Sequence, residues 1–326
     1  MTSQNFLPPN LINEFTKADD KDIEENCLEG LFDRYHPEII PVANRKQYHT
    51  LWLCRWHKIK AFENELLSLQ DEIKSKNINI VLLKGMSFVH SLYPDLGSRY
   101  MSDIDLLVDE KSLNDLEIIL ISHGYHIVAD SKWRANNFKK TFEKPHLETN
   151  LVIEAHTRLF FHISLPLVET LPWIHSPYKI LSPEISLVHL VGHLAFSHTF
   201  IKFFWMIDIF KFISHHEKVI KWDYFFELIR KYHLQNSCNI VFFILNRYFE
   251  YHNPACIRPL TFLKKMIYKR LITFSFLMKN QNLKIRYFLI KHLTKDSYTE
   301  YIKYDFYWLM DYLKQKINWQ SGSKEK

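Results

Sequence analysis

Asp103 and Asp105 stand two residues apart in Ser102-Asp-Ile-Asp-Leu-Leu-Val108, and this stretch limits the folds open to the chain. Its alternation has a period of two. It therefore reads as a strand with Asp103, Asp105 and Leu107 on one face and Ile104, Leu106 and Val108 on the other. The apolar face requires a core behind it. Two carboxylates side by side repel each other and cost stability unless a cation lies between them. An exposed strand start with solvated aspartates is the plain reading of Asp-x-Asp by itself, and the residues around it argue for more.

Ahead of this strand, Leu51, Cys54, Ile59, Phe62, Leu66, Leu69 and Ile73 recur at three- to five-residue steps, which predicts a helix from about Arg45 to Lys76. The period then changes. Ile78–Leu83 is a short apolar run of strand type ending at Lys84-Gly85, and a short helix from Ser87 to Tyr93 is expected to follow. Pro94-Asp95-Leu96-Gly97 has the composition of a turn. Beyond the aspartates, Ser112–His123 reads as a helix closed by Gly124, Tyr125–Ala129 and Leu151–His156 as strands, and 130–149 as a strand plus a loop. Residues 1–42 read as loosely organised, with one acidic helical segment around Asp19–Phe32. After Pro183 the character is all-helical, with helices expected at 183–199, 201–215, 223–232, 236–250, 258–278, 283–293 and 299–317. The class is α+β: a helical N-terminal segment (1–75), a mixed-sheet core with flanking helices (76–180), an all-helical C-terminal domain (181–320) and a polar tail (321–326).

The order of strand, Lys84-Gly85, short helix, turn, Arg99 and Asp-x-Asp strand, with Glu154 on a later strand, resembles the nucleotidyltransferase fold of the DNA polymerase β superfamily. A closer resemblance is to an uncharacterised bacterial nucleotidyltransferase family. It is carried by Leu82-Leu83-Lys84-Gly85, Asp95-Leu96-Gly97-Ser98-Arg99, Asp103-Ile104-Asp105-Leu106-Leu107-Val108 and Ile153-Glu154-Ala155-His156. The segment from Ser182 to Asp208, with His193 and Trp205-Met206-Ile207-Asp208, is similar as well. The resemblance spans roughly Arg45 to Phe212. It implies transfer of a nucleoside monophosphate from an NTP, ATP first, to a hydroxyl acceptor, with pyrophosphate released. Asp103, Asp105 and Glu154 would be the catalytic carboxylates and hold two Mg²⁺ ions, Mn²⁺ being the alternative. Lys84, Gly85, Ser87 and Arg99 would face the nucleotide phosphates, and His156 is a candidate substrate contact. Two departures stand out: Gly85 is followed by Met86 where the superfamily has Gly-Ser or Gly-Gly, and the third acid is a glutamate.

Composition narrows the alternatives. Six glycines in 326 residues and 15% aromatics suit a largely helical chain with bulky packing. Cys27, Cys54, Cys238 and Cys256 form no Cys-x-x-Cys pair, so a zinc ribbon or disulfide framework is not expected and a cytoplasmic setting is. The N-terminus lacks the layout of a signal peptide, and charges and histidines break the longest apolar stretch, so no transmembrane segment is expected. His189 and His193 lie one helical turn apart, with no Glu after His189, and read as core or interface histidines before zinc ligands. Asp208, set among Phe204, Trp205, Ile207 and Ile209, should cap or pair with a basic group, substrate contact ranking after that. From Tyr251 to Lys295 there are ten Lys or Arg and no acid. That stretch reads as a solvated basic face, with docking of nucleic acid, a polyanionic substrate or an anionic membrane surface as the functional alternatives. A catalytically inactive scaffold used for binding or regulation is the competing function class.

Overall fold

The computed structural model describes residues 6–128, 139–147, 149–160, 169–198, 200, 202–252, 254, 260–279, 290–296, 299, 302, 306 and 310. Three short helices open the chain: α1 (Pro9–Phe15), α2 (Asp20–Glu25) and α3 (Glu29–Tyr35). The long α4 (Arg45–Ser75) leads into β1 (Ile80–Leu83), α5 (Lys84–Phe88), β2 (Ile104–Val108) and α6 (Leu113–Ser122). Five strands follow: β3 (His126–Ile127), β4 (Lys139–His146), β5 (Thr149–His156), β6 (Thr170–Pro172) and β7 (Lys179–Leu181). The remaining helices are α7 (Pro183–Phe196), α8 (Phe204–His216), α9 (Trp222–Lys231), α10 (Gln235–Tyr248), α11 (Phe262–Leu271) and α12 (Phe274–Met278). No helix among the described residues is long and apolar enough to cross a membrane.

The strands form one mixed sheet in the order β3-β4-β5-β2-β1-β7-β6, α+β as expected. β1 runs antiparallel to β2, whereas β2–β5 and β1–β7 are parallel pairs. β1 is buried at every position because both faces of the sheet are covered. Ile80 and Leu82 enter a core with Phe62, Leu66 and Leu69 of α4 and Leu116 and Leu120 of α6. Val81 and Leu83 face the other way, into a core built from α7, α8, α10 and the N-terminal helices. β2 alternates in the same sense: Ile104, Leu106 and Val108 pack toward α4 and α6, and Leu107 toward the other layer. Asp105 therefore opens onto the side of the sheet that α7 and α8 cover.

Four expectations change. The N-terminal residues are not loosely organised: Leu11, Phe15, Ile23, Leu28 and Phe32 are buried in the same core as the C-terminal helices. Phe15 packs edge-on against Phe32, Phe203 and Phe274, and the Lys211 ammonium lies 3.5 Å from the Phe6 ring centroid. The single helix expected around Asp19–Phe32 is two helices, broken where Cys27 takes a positive φ of 56°. The short helix after β1 begins at Lys84 rather than Ser87, and the helix expected at 258–278 is α11 and α12. Thr273, whose hydroxyl accepts from the Phe276 amide, caps a new helix there. Residues 130–138 of the stretch expected to be a strand plus a loop, most of 283–293, most of 299–317 and the tail lie outside the described residues.

The turn motif before β2 ties these layers together. The Asp95 carboxylate accepts from Ser98 N (3.0 Å), Ser98 Oγ (2.6 Å), Tyr35 OH (2.7 Å) and Trp52 Nε1 (2.6 Å). A Cβ on Gly97 would lie 2.5 Å from both the indole nitrogen and the carbonyl oxygen of Trp52, so only glycine lets α4 come this close. One carboxylate thus joins α3, α4 and the turn. Asp95→Ala is expected to destabilise the protein by about 2–3 kcal/mol, since several donors lose a charged acceptor at once. The shift in a urea unfolding midpoint measures it, and an unchanged midpoint would contradict the role.

Candidate active site

The parallel register of β2 and β5 sets Asp105 directly opposite Glu154 and Leu107 opposite His156. Paired residues share a face, so two carboxylates and an imidazole converge without any loop to hold them. Ligand atoms of Asp105, Glu154 and His156 lie within 4.8 Å of one another. His156 Nε2 is 2.9 Å from Asp105 Oδ1 and 3.6 Å from Glu154 Oε2. Asp103 lies one residue before the first of β2, so it sits at the strand's mouth rather than within it. β4 runs antiparallel beside β5, with Lys139 opposite His156, and the Lys139 ammonium contacts Glu154 Oε1.

Lys84 closes the cluster from β1. Its Nζ is 3.0 Å from Asp105 Oδ2, and both side chains are only 7% exposed. It stands at the strand-to-helix junction with φ of 43°, a left-handed conformation that a non-glycine residue adopts at a cost of about 1–3 kcal/mol, recurrent at functional sites. Gly85 follows because a Cβ there would lie 2.6 Å from Met101 Sδ and 2.8 Å from Arg99 Nη1. Ser87 Oγ donates to the Lys84 carbonyl at 2.6 Å.

The charges divide the carboxylates. Burial alone would raise Asp105, but Lys84 and then His156 outweigh it and hold the carboxyl well below its ordinary range. Glu154 is likewise lowered: burial opposes ionisation, and hydrogen bonds from His156 and Lys139 overcome it. Asp103 goes the other way, raised by burial and then by the charges of Asp105 and Glu154. Lys58, on α4, is lowered by burial, with Asp103 acting against that. The site thus holds two carboxylates whose charge its neighbours favour beside a third whose charge burial and its neighbours disfavour.

The helical layer supplies the opposite wall. Lys84 Nζ lies 3.5 Å from His193 Nε2, and His193 Nε2 lies 2.9 Å from His198 Nε2. Trp205 stacks on His198 and stands 6.0 Å from the Lys84 ammonium, and its Nε1 is buried without an acceptor among the described residues. Arg99 and Asp208 are given to each other: Nε to Oδ1 at 3.0 Å and Nη2 to Oδ2 at 2.6 Å, with Tyr93 OH donating to Oδ1 at 2.6 Å. Arg99 Nη1 donates to the Tyr100 carbonyl, so every guanidinium nitrogen has an acceptor inside the protein. This pair joins the segment before β2 to α8.

Burial and the nearby Lys84 keep the histidines neutral, lowering His189 to about 3 and His198 to about 4. The unfolded chain takes up these protons below about pH 6.5, the folded protein only near 4 and 3. Stability is therefore full above pH 6.5 and falls as pH drops through that window, by up to about 1.4 kcal/mol per pH unit for each histidine. Unfolding midpoints measured from pH 7 to 4 should show the decline, and a His198→Gln variant should show a shallower one.

Lys139 and the contact between His193 and Lys84 were not legible in the sequence. Lys139 falls in the polar 130–149 stretch, where no alternation marks the β4–β5 register. The advance signals for His193 were its place one helical turn from His189 and in the segment similar to the bacterial family, and neither points to Lys84.

A mixed sheet between two helical layers, with adjacent carboxylates on neighbouring parallel strands, defines a nucleotidyltransferase-like protein. The chain belongs to the family described as "Uncharacterised nucleotidyltransferase", whose model matches residues 31–250, about two thirds of its length. No curated protein matches the chain.

Proposed function

We propose that the protein moves a nucleoside monophosphate from an NTP, ATP first, to a hydroxyl-bearing acceptor, releasing pyrophosphate. The direct opposition of Asp105 and Glu154 in the β2–β5 register, with Asp103 beside them and Lys84 behind, carries this reading.

The residues fit a hard divalent cation. Asp105 and Glu154 converge to within 4.8 Å, and added positive charge would offset the burial and like charge that raise Asp103. Asp103, Asp105 and Glu154 would hold Mg²⁺, and the nitrogen of His156 in the same cluster makes Mn²⁺ a suitable substitute. When bound, such ions supply positive charge at the attacking and leaving oxygens.

The chain's own groups account for the rest. The acceptor oxygen bonds to the α-phosphorus, the bond to the pyrophosphate oxygen breaks, and pyrophosphate leaves with that electron pair. The hydroxyl proton passes to Glu154, which is ionised at neutral pH and steered by His156 and Lys139. Lys84, on a flexible stem, can exchange Asp105 for a phosphate oxygen. Trp205 Nε1, which has no acceptor among the described residues, brings a donor to the same wall. Gly85 and Ser87 shape the backbone beneath the phosphates, while Arg99 and Asp208 lock α8 against the sheet.

Incubating the protein with α-labelled NTPs, Mg²⁺ and a cell lysate tests this. Label should appear in one class of hydroxyl acceptor, with pyrophosphate released in step. No label transfer by a folded protein that binds NTP would mean a binding or regulatory scaffold instead.

A further inference from the structure

We propose that the outward face of α11 is a docking surface for an anionic lipid bilayer. The helix lies beyond residue 250, outside the family match, and the catalytic cluster does not involve it. Every residue from Thr261 to Met266 is exposed, including Phe262 at 80%, Leu263 at 65% and Met266 at 53%. Single exposed apolar side chains are ordinary, but three within five residues of one helix are not.

Their arrangement is ordered. Phe262 and Met266 are one turn apart and project away from the face that carries Leu271 and the buried Tyr268 toward the core. At 100° per residue, Lys265 and Lys269 flank them on one side and Leu263 and Arg270 on the other. The outward face therefore has an apolar centre and cationic margins, the pattern of a helix lying in a membrane interface.

The helix is held firmly in this pose. Thr261 Oγ1 caps it by accepting from the Lys264 amide, Lys264 Nζ donates to Asn236 Oδ1, and Arg247 Nη1 donates to the Lys269 carbonyl. Arg247 is itself exposed, adding a cation at the C-terminal end. Asp296 lies near enough to Lys264 to feel its charge, but no described carboxylate comes within salt-bridge distance of Lys265, Lys269 or Arg270. Charge complementarity thus calls for a polyanion. The apolar centre selects a bilayer over nucleic acid, because a phosphodiester chain satisfies the lysines but leaves Met266 and Leu263 in water, whereas an acyl layer buries them.

Full-length protein co-sedimented with phosphatidylcholine vesicles, with and without phosphatidylglycerol, tests the proposal. Binding is expected only when phosphatidylglycerol is present, and raised salt should release it. Lys265→Gln/Lys269→Gln/Arg270→Gln should lower the partition coefficient on the order of 100-fold. Phe262→Ser/Met266→Ser should lower it on the order of 10-fold or more. All these side chains are exposed, so preserved unfolding midpoints serve as the control. Absence of vesicle binding, or binding that neither variant changes, would overturn the proposal. So would binding of a labelled RNA that the charge variant abolishes and the apolar variant leaves intact, without vesicle binding. Self-association abolished by Phe262→Ser/Met266→Ser, again without vesicle binding, would assign the face to a second copy of this chain.

Discussion

Asp103→Asn and Asp105→Asn should each reduce nucleotidyl transfer by about 10³-fold or more, yet move stability in opposite directions. In the proposed reaction the loss follows from their shared place: each variant removes an acid at the centre where the transferred nucleotidyl group would be held. The split in stability follows from their surroundings. Asp105 is buried against Lys84 and His156, both of which favour its charge. Neutralising it leaves a buried ammonium without its partner, and the unfolding midpoint should fall. Asp103 is raised by burial and by Asp105 and Glu154, so its charge is unwelcome in the resting site. Asparagine there removes repulsion, and the midpoint should rise. Calorimetry beside a pyrophosphate-release assay reads both at once. If the two variants shifted stability in the same direction, the division of charge described here would be wrong. If activity survived both, the catalytic assignment would be wrong.

Asp208→Ala is expected to cost about 3–5 kcal/mol, among the largest single-site losses in the protein. Asp208 is fully buried and Arg99 is 3% exposed, so removing the carboxylate leaves a guanidinium with no water to take its place. Tyr93 OH loses its acceptor as well. Arg99→Met/Asp208→Leu removes both charges together and should recover most of that stability, because neither ion then remains unpaired. Urea unfolding of the two variants gives the comparison. A double variant no more stable than Asp208→Ala would show that the pair acts through packing rather than charge. NTP affinity adds a separate readout: if the pair only locks α8, the stable double variant should bind NTP about as well as the wild type.

The two predictions rest on features that differ in how far local sequence encodes them. The alternation of 104–108 places Asp105 opposite the apolar face, and the strand forms as expected. Gly124, with φ of 85°, closes α6, and from Ile59 onward the apolar spacing of α4 matches its buried stripe of Ile59, Phe62, Leu66, Leu69 and Ile73, whereas Cys54 is exposed. A period or a cap involves residues within one or two turns, so the amino-acid order is enough to specify it. The N-terminal helices were harder to read. They are short, their acidic positions mask an apolar minority, and they gain stability only by packing on other elements, α2 on α12 and α3 on α4 and the turn before β2.

Asp103-Ile104-Asp105, Lys84-Gly85 and Glu154 together were enough for the sequence alone to determine the kind of sheet and its carboxylates. Which strand lies beside β2, and in what register, was decided by tertiary structure. That register brings Glu154 to Asp105; the β4–β5 pairing brings Lys139 to Glu154, and the packing of α7 and α8 on the sheet brings His193 to Lys84 and commits Arg99 to Asp208. Each of these contacts joins an ionisable group to a partner on another element, and a charge has no period. Its partner is set by the packing of the apolar faces behind it, which brings distant segments within reach of Coulomb attraction.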